Sequence, residues 1–132
     1  MAKFGIINLL LAAAGGALGS LARYVVSGLV DDWYGRGDFP FGTLAVNVVG
    51  CLVIGVLTHL AEAHKLLSTE ARVFLVVGIL GGFTTFSSFG NDTVNLWRTG
   101  QMGRALLNVG AQLVLGLGAV WLGHVLARKV WG

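Results

Sequence analysis

Four long apolar stretches, roughly Ile6 to Val30, Gly42 to Ala61, Ala71 to Trp97 and Gly103 to Ala127, constrain this chain more than any motif does. Each reaches the roughly 20 residues that an α-helix needs to cross a bilayer. Hydrophobic residues make up 55% of the chain, charged residues only 11%, and there is a single proline. A mean hydropathy of +0.80 agrees. The expected architecture is an all-α membrane protein, one domain over residues 1–132 with four transmembrane helices and short loops. No linker, soluble repeat or low-complexity tract divides it.

The net charge of +3 does not point to nucleic acid, because the nine basic residues are scattered through loops and termini without a clustered patch or aromatic stacking positions. Cys51 is the only cysteine, lies inside the second stretch and is read as a packing residue. The first stretch follows Lys3 and is rich in Ala and Gly, which a cleaved signal peptide would also show. Its apolar character continues to Val30, so a retained span is expected. In it Gly15-x-x-x-Gly19 forms a small-residue surface on which another helix can approach closely.

One segment inside the third stretch holds almost everything a membrane span avoids: Gly81-Gly82-Phe83-Thr84-Thr85-Phe86-Ser87-Ser88-Phe89-Gly90-Asn91-Asp92. Paired glycines and four hydroxyls that compete for backbone hydrogen bonds predict a broken third helix, with the break including the glycines. Irregular backbone at membrane depth is tolerated only inside protein or along a watery cavity. The break is therefore the candidate site.

Other polar residues in the spans are weighed against it. Arg23, deep in the first stretch, either serves a structural or vestibule role or snorkels to the surface. The first loop, with Trp33, Tyr34 and Pro40, reads as an interfacial turn. Thr43 and Asn47 are four apart and share a helical face, and the Asn47 amide can donate to an anion without a buried charge. His59, Glu62, His64 and Lys65 read as a solvated loop, since a spacing of five does not place two histidines on one face. Asn108 and Gln112, four apart in the fourth stretch, read as interhelical hydrogen-bond contacts.

Phe86 and Phe89 are three apart and project from one face of a helix restarting after the break. Such pairs usually pack, but a phenyl ring has a positive edge and can solvate a dehydrated anion edge-on. Ser87 and Ser88 add donors, with Thr84 and Thr85 at the break. Donors and ring edges without a fixed charge favour a small anion.

Together, Gly42-Thr43-Leu44-Ala45-Val46-Asn47 and Gly81-Gly82-Phe83-Thr84-Thr85-Phe86-Ser87-Ser88-Phe89 closely resemble the Fluc (CrcB) family of small bacterial fluoride channels, along the whole chain. The resemblance implies an antiparallel homodimer of four-helix subunits in the inner membrane that exports fluoride passively. It also implies a fluoride pathway along Asn47, Phe86 and Phe89, with Thr43, Thr85, Ser87 and Ser88 as polar contributors, and a first-helix arginine at Arg23. A structural Na⁺ held by the backbone carbonyls of Gly81 and Thr84 from both subunits is implied as well. The chain departs from the family pattern at Gly90, where a serine is usual, at Asp92, where glutamate is common, and at Gly116, where a family serine aligns.

Two other classes compete. A small four-span multidrug transporter needs an intramembrane carboxylate, and none falls within the first stretch. A structural membrane assembly protein explains the glycines and Asn47 but not the hydroxyls and phased phenylalanines at a break. An enzyme is not expected, since no nucleophile, base and orienting residue group together. With four spans, Lys3, Lys65, Arg72, Arg128 and Lys129 share the face of the termini, against Arg36, Arg98 and Arg104 on the other, with Arg23 possible there. So small a bias does not enforce one orientation. Insertion in both directions and an antiparallel pair, in contact with membrane lipid, are the expectation.

Overall fold

The computed structural model describes residues 4–132, and Lys3 of the charge count lies outside the described residues. Four helices follow in order: α1 (Ile6–Tyr34), α2 (Phe41–Ala63), α3 (Thr69–Arg98) and α4 (Met102–Trp131). All four are long and apolar enough to cross a membrane, and each expected span falls inside one of them. This is a multi-pass membrane protein. Large side chains such as Leu21, Val114, Leu117 and Trp121 lie exposed on the outside of the bundle, where lipid would meet them.

The ends of the helices follow from local chemistry. α1 stops at Gly35, which takes a left-handed conformation (φ 89°) and returns its N–H to the carbonyls of Asp31 and Asp32. α3 starts at Ser68, whose Oγ accepts from the Ala71 N–H at 3.1 Å. Gly100, at φ 78°, turns the chain from α3 into α4.

Two seams hold the bundle, α1 against the first part of α3 and α2 against α4. The Gly15-x-x-x-Gly19 surface does meet α3: a β-carbon at Gly15 would lie 2.5 Å from the Phe74 carbonyl oxygen, and one at Gly19 would collide with the Ile79 carbonyl. Gly82 answers from the other side, with Gly16 O and Ser20 N in the space a β-carbon would need. Gly55 and Gly123 do the same between α2 and α4. In lipid, where apolar burial does not drive helices together, such backbone approach supplies van der Waals contact.

α3 is wound as a π-helix over Val73–Leu80 and is broken further on. The break does not include the glycines: Gly81–Phe83 is still helical, and Gly82 packs on α1. It consists of Thr84 (φ −90°, ψ 158°) and Thr85 (φ −153°, ψ 112°), both extended, before helix resumes over Phe86–Arg98. Neither residue needs a positive φ, so glycine has no advantage, and a β-branched side chain suits extended backbone. The hydroxyls cap both sides. Thr84 Oγ1 donates to the Leu80 carbonyl at 2.9 Å, and Thr85 Oγ1 accepts from the Ser88 N–H at 3.1 Å.

Candidate functional site

The break is held open by a residue from another helix. Asn47 of α2 faces Thr85 with its whole amide: Oδ1 accepts from the Thr85 N–H at 2.8 Å, and Nδ2 donates to the Thr85 carbonyl at 3.1 Å. It thus replaces the helical partner that the Thr85 N–H has lost, as buried backbone polar groups require. Its second N–H goes to Gln112 Oε1 of α4, also at 3.1 Å. Gly50, one turn along α2, leaves the room that the Thr84 methyl occupies.

The expectation for Asn47 was an amide free to hold an anion. In this structure both of its N–H groups are committed, one to Thr85 and one to Gln112.

Two cavities meet at Thr85. The first, about 400 Å³, is lined by Asn47, Thr84, Thr85, Phe86, Phe89 and Gln112 with aliphatic neighbours. Phe86 and Phe89 are brought together as expected, edge-to-face with centroids 5.4 Å apart and planes at 68°. Phe86 is 82% exposed, an unusual position for a ring beside a helix break. Between the cavities, the Thr85 hydroxyl lies 3.2 Å from Ser87 Oγ and 3.1 Å from Ser88 Oγ.

The second cavity, about 270 Å³, is lined by Ser20, Arg23, Ser27, Thr43, Thr85 and Ser88 among others. Arg23 faces protein here, and its Nε is enclosed without a partner. Thr43 shares this cavity rather than that of Asn47. The common helical face predicted for them therefore opens onto both sides of Thr85.

Gly81 and Thr84, the expected cation ligands, lie at the first cavity. In an unbroken helix the Thr85 N–H would bond the Gly81 carbonyl and the Ser88 N–H the Thr84 carbonyl. Here those N–H groups go to Asn47 Oδ1 and Thr85 Oγ1. Two carbonyls are thereby released at the positions that the resemblance assigns to a cation.

Sequence reasoning left Gln112 as a plain helix contact and did not single out Ser20 or Ser27. The signal for Gln112 was an amide in the middle of a span; nothing in its spacing names Asn47, 65 residues away, as its partner. Asn108 does act as read, buried and donating to Thr93 Oγ1 at 3.0 Å. The histidine loop is a correction. His59 and His64 are half-buried, with rings 5.7 Å apart and His124 of α4 6.3 Å from His59, because the end of α2 folds against α4. No group of three side chains suited to a metal ion occurs among the described residues.

Comparison with known proteins gives a consistent result. A family profile described as "CrcB-like protein, Camphor Resistance (CrcB)" matches residues 10–124. A protein of Opitutus terrae named fluoride-specific ion channel FluC is 54% identical over 87% of this chain and 88% of its own length. Proteins of the same name from Hydrogenovibrio crunogenus and Agrobacterium fabrum are 46% and 45% identical, over 93% and 96% of this chain and 92% and 100% of theirs. With the profile matched over most of the chain and relatives this similar end to end, the protein belongs to the CrcB family.

Proposed function

We propose that this protein is a fluoride-selective ion channel of the bacterial inner membrane, through which fluoride leaves the cytoplasm down its gradient. The observation that carries the reading is the junction at Thr85. A cavity lined by the half-buried Arg23 and one lined by phenylalanine edges and amides meet there beside three hydroxyls. It occurs in a chain whose relatives along their full length are named fluoride-specific ion channels. Arg23 raises the local anion concentration in its cavity. Thr43, Thr85, Ser87 and Ser88 donate to the ion in place of water, and the edges of Phe86 and Phe89 carry it where no fixed charge can trap it. Asn47 keeps the backbone of the junction in place. No bond is made or broken, and the protein is not an enzyme.

The multidrug-transporter reading is not favoured, since the relatives carry the name of a fluoride channel and no carboxylate falls within the first apolar stretch. The two carboxylates at the end of α1 are engaged, Asp31 with the Gly42 N–H and Asp32 with Arg36. Fluoride efflux from proteoliposomes, followed with a fluoride electrode and repeated with chloride, tests the proposal. Rapid fluoride release without chloride release is expected, and equal release of both would replace it with a general anion pore.

The functional unit in this reading is an antiparallel homodimer. Gly81, Phe86 and Ser87 are exposed in a single subunit at the middle of a span, and lipid cannot satisfy carbonyls or hydroxyls there. A second, inverted copy would cover them. The same contact would bring the Gly81 and Thr84 carbonyls of both subunits around one Na⁺, whose role is structural; broken-helix carbonyls suit such an ion. High-resolution density showing no ion between the two breaks would remove the sodium. A topology reporter on the C-terminus should be found on both sides of the membrane, and purely cytoplasmic C-termini would remove dual insertion.

A further inference from the structure

We infer that His59, His64 and His124 form an acid-sensitive latch between the end of α2 and α4, closed while the rings are neutral and released when more than one is protonated. The inference stands apart from the channel reading, since none of the three lines either cavity at Thr85. His59 is the central ring. It meets His64, the C-terminal cap of α2, with 5.7 Å between centroids and 62° between planes, and His124 of α4 with 6.3 Å and 86°. All three residues are half-buried, and the Nε2 atoms of His59 and His64 are enclosed without a hydrogen-bond partner. A neutral imidazole has one N–H and one bare nitrogen, whereas the charged ring has N–H on both. An enclosed, unpartnered Nε2 therefore fits the neutral ring; protonation there creates a buried donor without an acceptor, which is costly.

The surrounding charges add to this. Glu62 and Lys65 lie on α2 and the loop after it, Glu70 and Arg72 at the start of α3, and Arg128 and Lys129 in the last turn of α4, all exposed. On α1 no titratable side chain precedes Arg23 among the described residues. Basic groups outnumber acidic ones at this end, and no salt bridge reaches a histidine among the described residues. The last carbonyls of α2 favour one positive ring at His64. Charging His59 as well sets like charges on adjacent rings. The opened end thus binds more protons than the closed one, so closure weakens as pH falls through the range of roughly 5 to 8 in which histidine ordinarily titrates. Release is bounded one turn further in, where Gly55 and Gly123 pack backbone on backbone and carry nothing to titrate.

Hydrogen exchange of the full-length protein in detergent, labelled at about pH 7.5 and about pH 5.5 with times scaled for intrinsic exchange, reads the latch. Amides of residues 59–67 are expected to exchange at least about tenfold faster at the lower pH, the effect of one unpaired buried donor. The Gly55–Gly123 seam and α1 should keep their protection. In His59→Phe, which keeps a ring between the other two but cannot be charged, most of that acceleration should disappear. His124→Gln, a milder change that removes one of the two ring pairs, should reduce it and decides the matter if His59→Phe does not fold. Equal protection of residues 59–67 at both pH values in the parent overturns the inference, whether or not a variant folds. Undiminished acceleration in the deciding variant also overturns it, because the titrating group then lies elsewhere. Acceleration spread over all four helices does so too, since that is acid unfolding of the whole bundle.

Discussion

The two parts of α3 lie on one helix axis in sequence but are held by different physics. Before the break, residues 69–83 are fixed on α1 by close backbone approach, with Gly15 and Gly19 on one side and Gly78 and Gly82 on the other. After it, Phe86–Arg98 rests on α4 and is fixed by polar bonds: Asn108 to Thr93, and Asn47 to Thr85 at its head. The first seam is built from backbone contact at glycines. The second is built from hydrogen bonds of amides and hydroxyls. The break marks where the helix passes from close backbone packing to polar bonding, and its two threonines supply the caps on either side.

The comparison is broken hardest at the first seam. Gly19→Val puts a branched side chain into the Ile79 carbonyl, a backbone atom that cannot step aside. We expect more than ~3 kcal/mol of destabilisation, beyond the usual range for overpacking. Little folded protein should be recovered in detergent, and a parental yield and melting temperature would show that α1 and α3 are not locked there.

Asn47→Asp tests the joint between the two parts. The carboxylate can still accept from the Thr85 N–H, but its second oxygen meets the Thr85 carbonyl and Gln112 Oε1, two acceptors that have lost their donor. Unsatisfied buried groups of this kind cost about 1–3 kcal/mol each. Fluoride flux should fall by roughly tenfold or more, and unchanged flux in a folded dimer would detach Asn47 from the pathway.

Phe86→Ile and Phe89→Ile sharpen the contrast within the second part. Isoleucine retains apolar bulk and removes the ring quadrupole, worth about 0.5–1.5 kcal/mol in ring contacts. Flux should drop several-fold with melting unchanged. Normal flux in both would return the pair to packing.

Thr93→Val has the smallest expected effect. It removes the partner of Asn108, a buried amide, and should lower stability by about 1 kcal/mol without altering flux. A large loss of flux from this substitution would mean that the second seam is itself part of the path.

Much of this was legible along the chain. Span number and position follow from apolar length alone, because the thickness of the bilayer sets it. The Gly15-x-x-x-Gly19 approach was legible because helical spacing puts the two residues on one face. The break was read a few residues too early, because glycine was weighed as a helix breaker. In the fold Gly82 is a contact surface, and the hydroxyl pair Thr84 and Thr85 does the breaking.

By itself the sequence determined an all-helical, four-span membrane protein with an interrupted third helix and, through its motifs, the family. It did so because backbone hydrogen bonding and the oily thickness of a membrane act on consecutive residues. Only the tertiary structure decided that Asn47 grips Thr85 across 38 positions, that Gln112 faces Asn47, and that Thr43 and Asn47 open onto different cavities. Those outcomes depend on how three helices cross, and an amide has the same two ends whichever neighbour it meets. Which end meets which neighbour is settled by the partner's chemistry, and the partner is chosen by the fold.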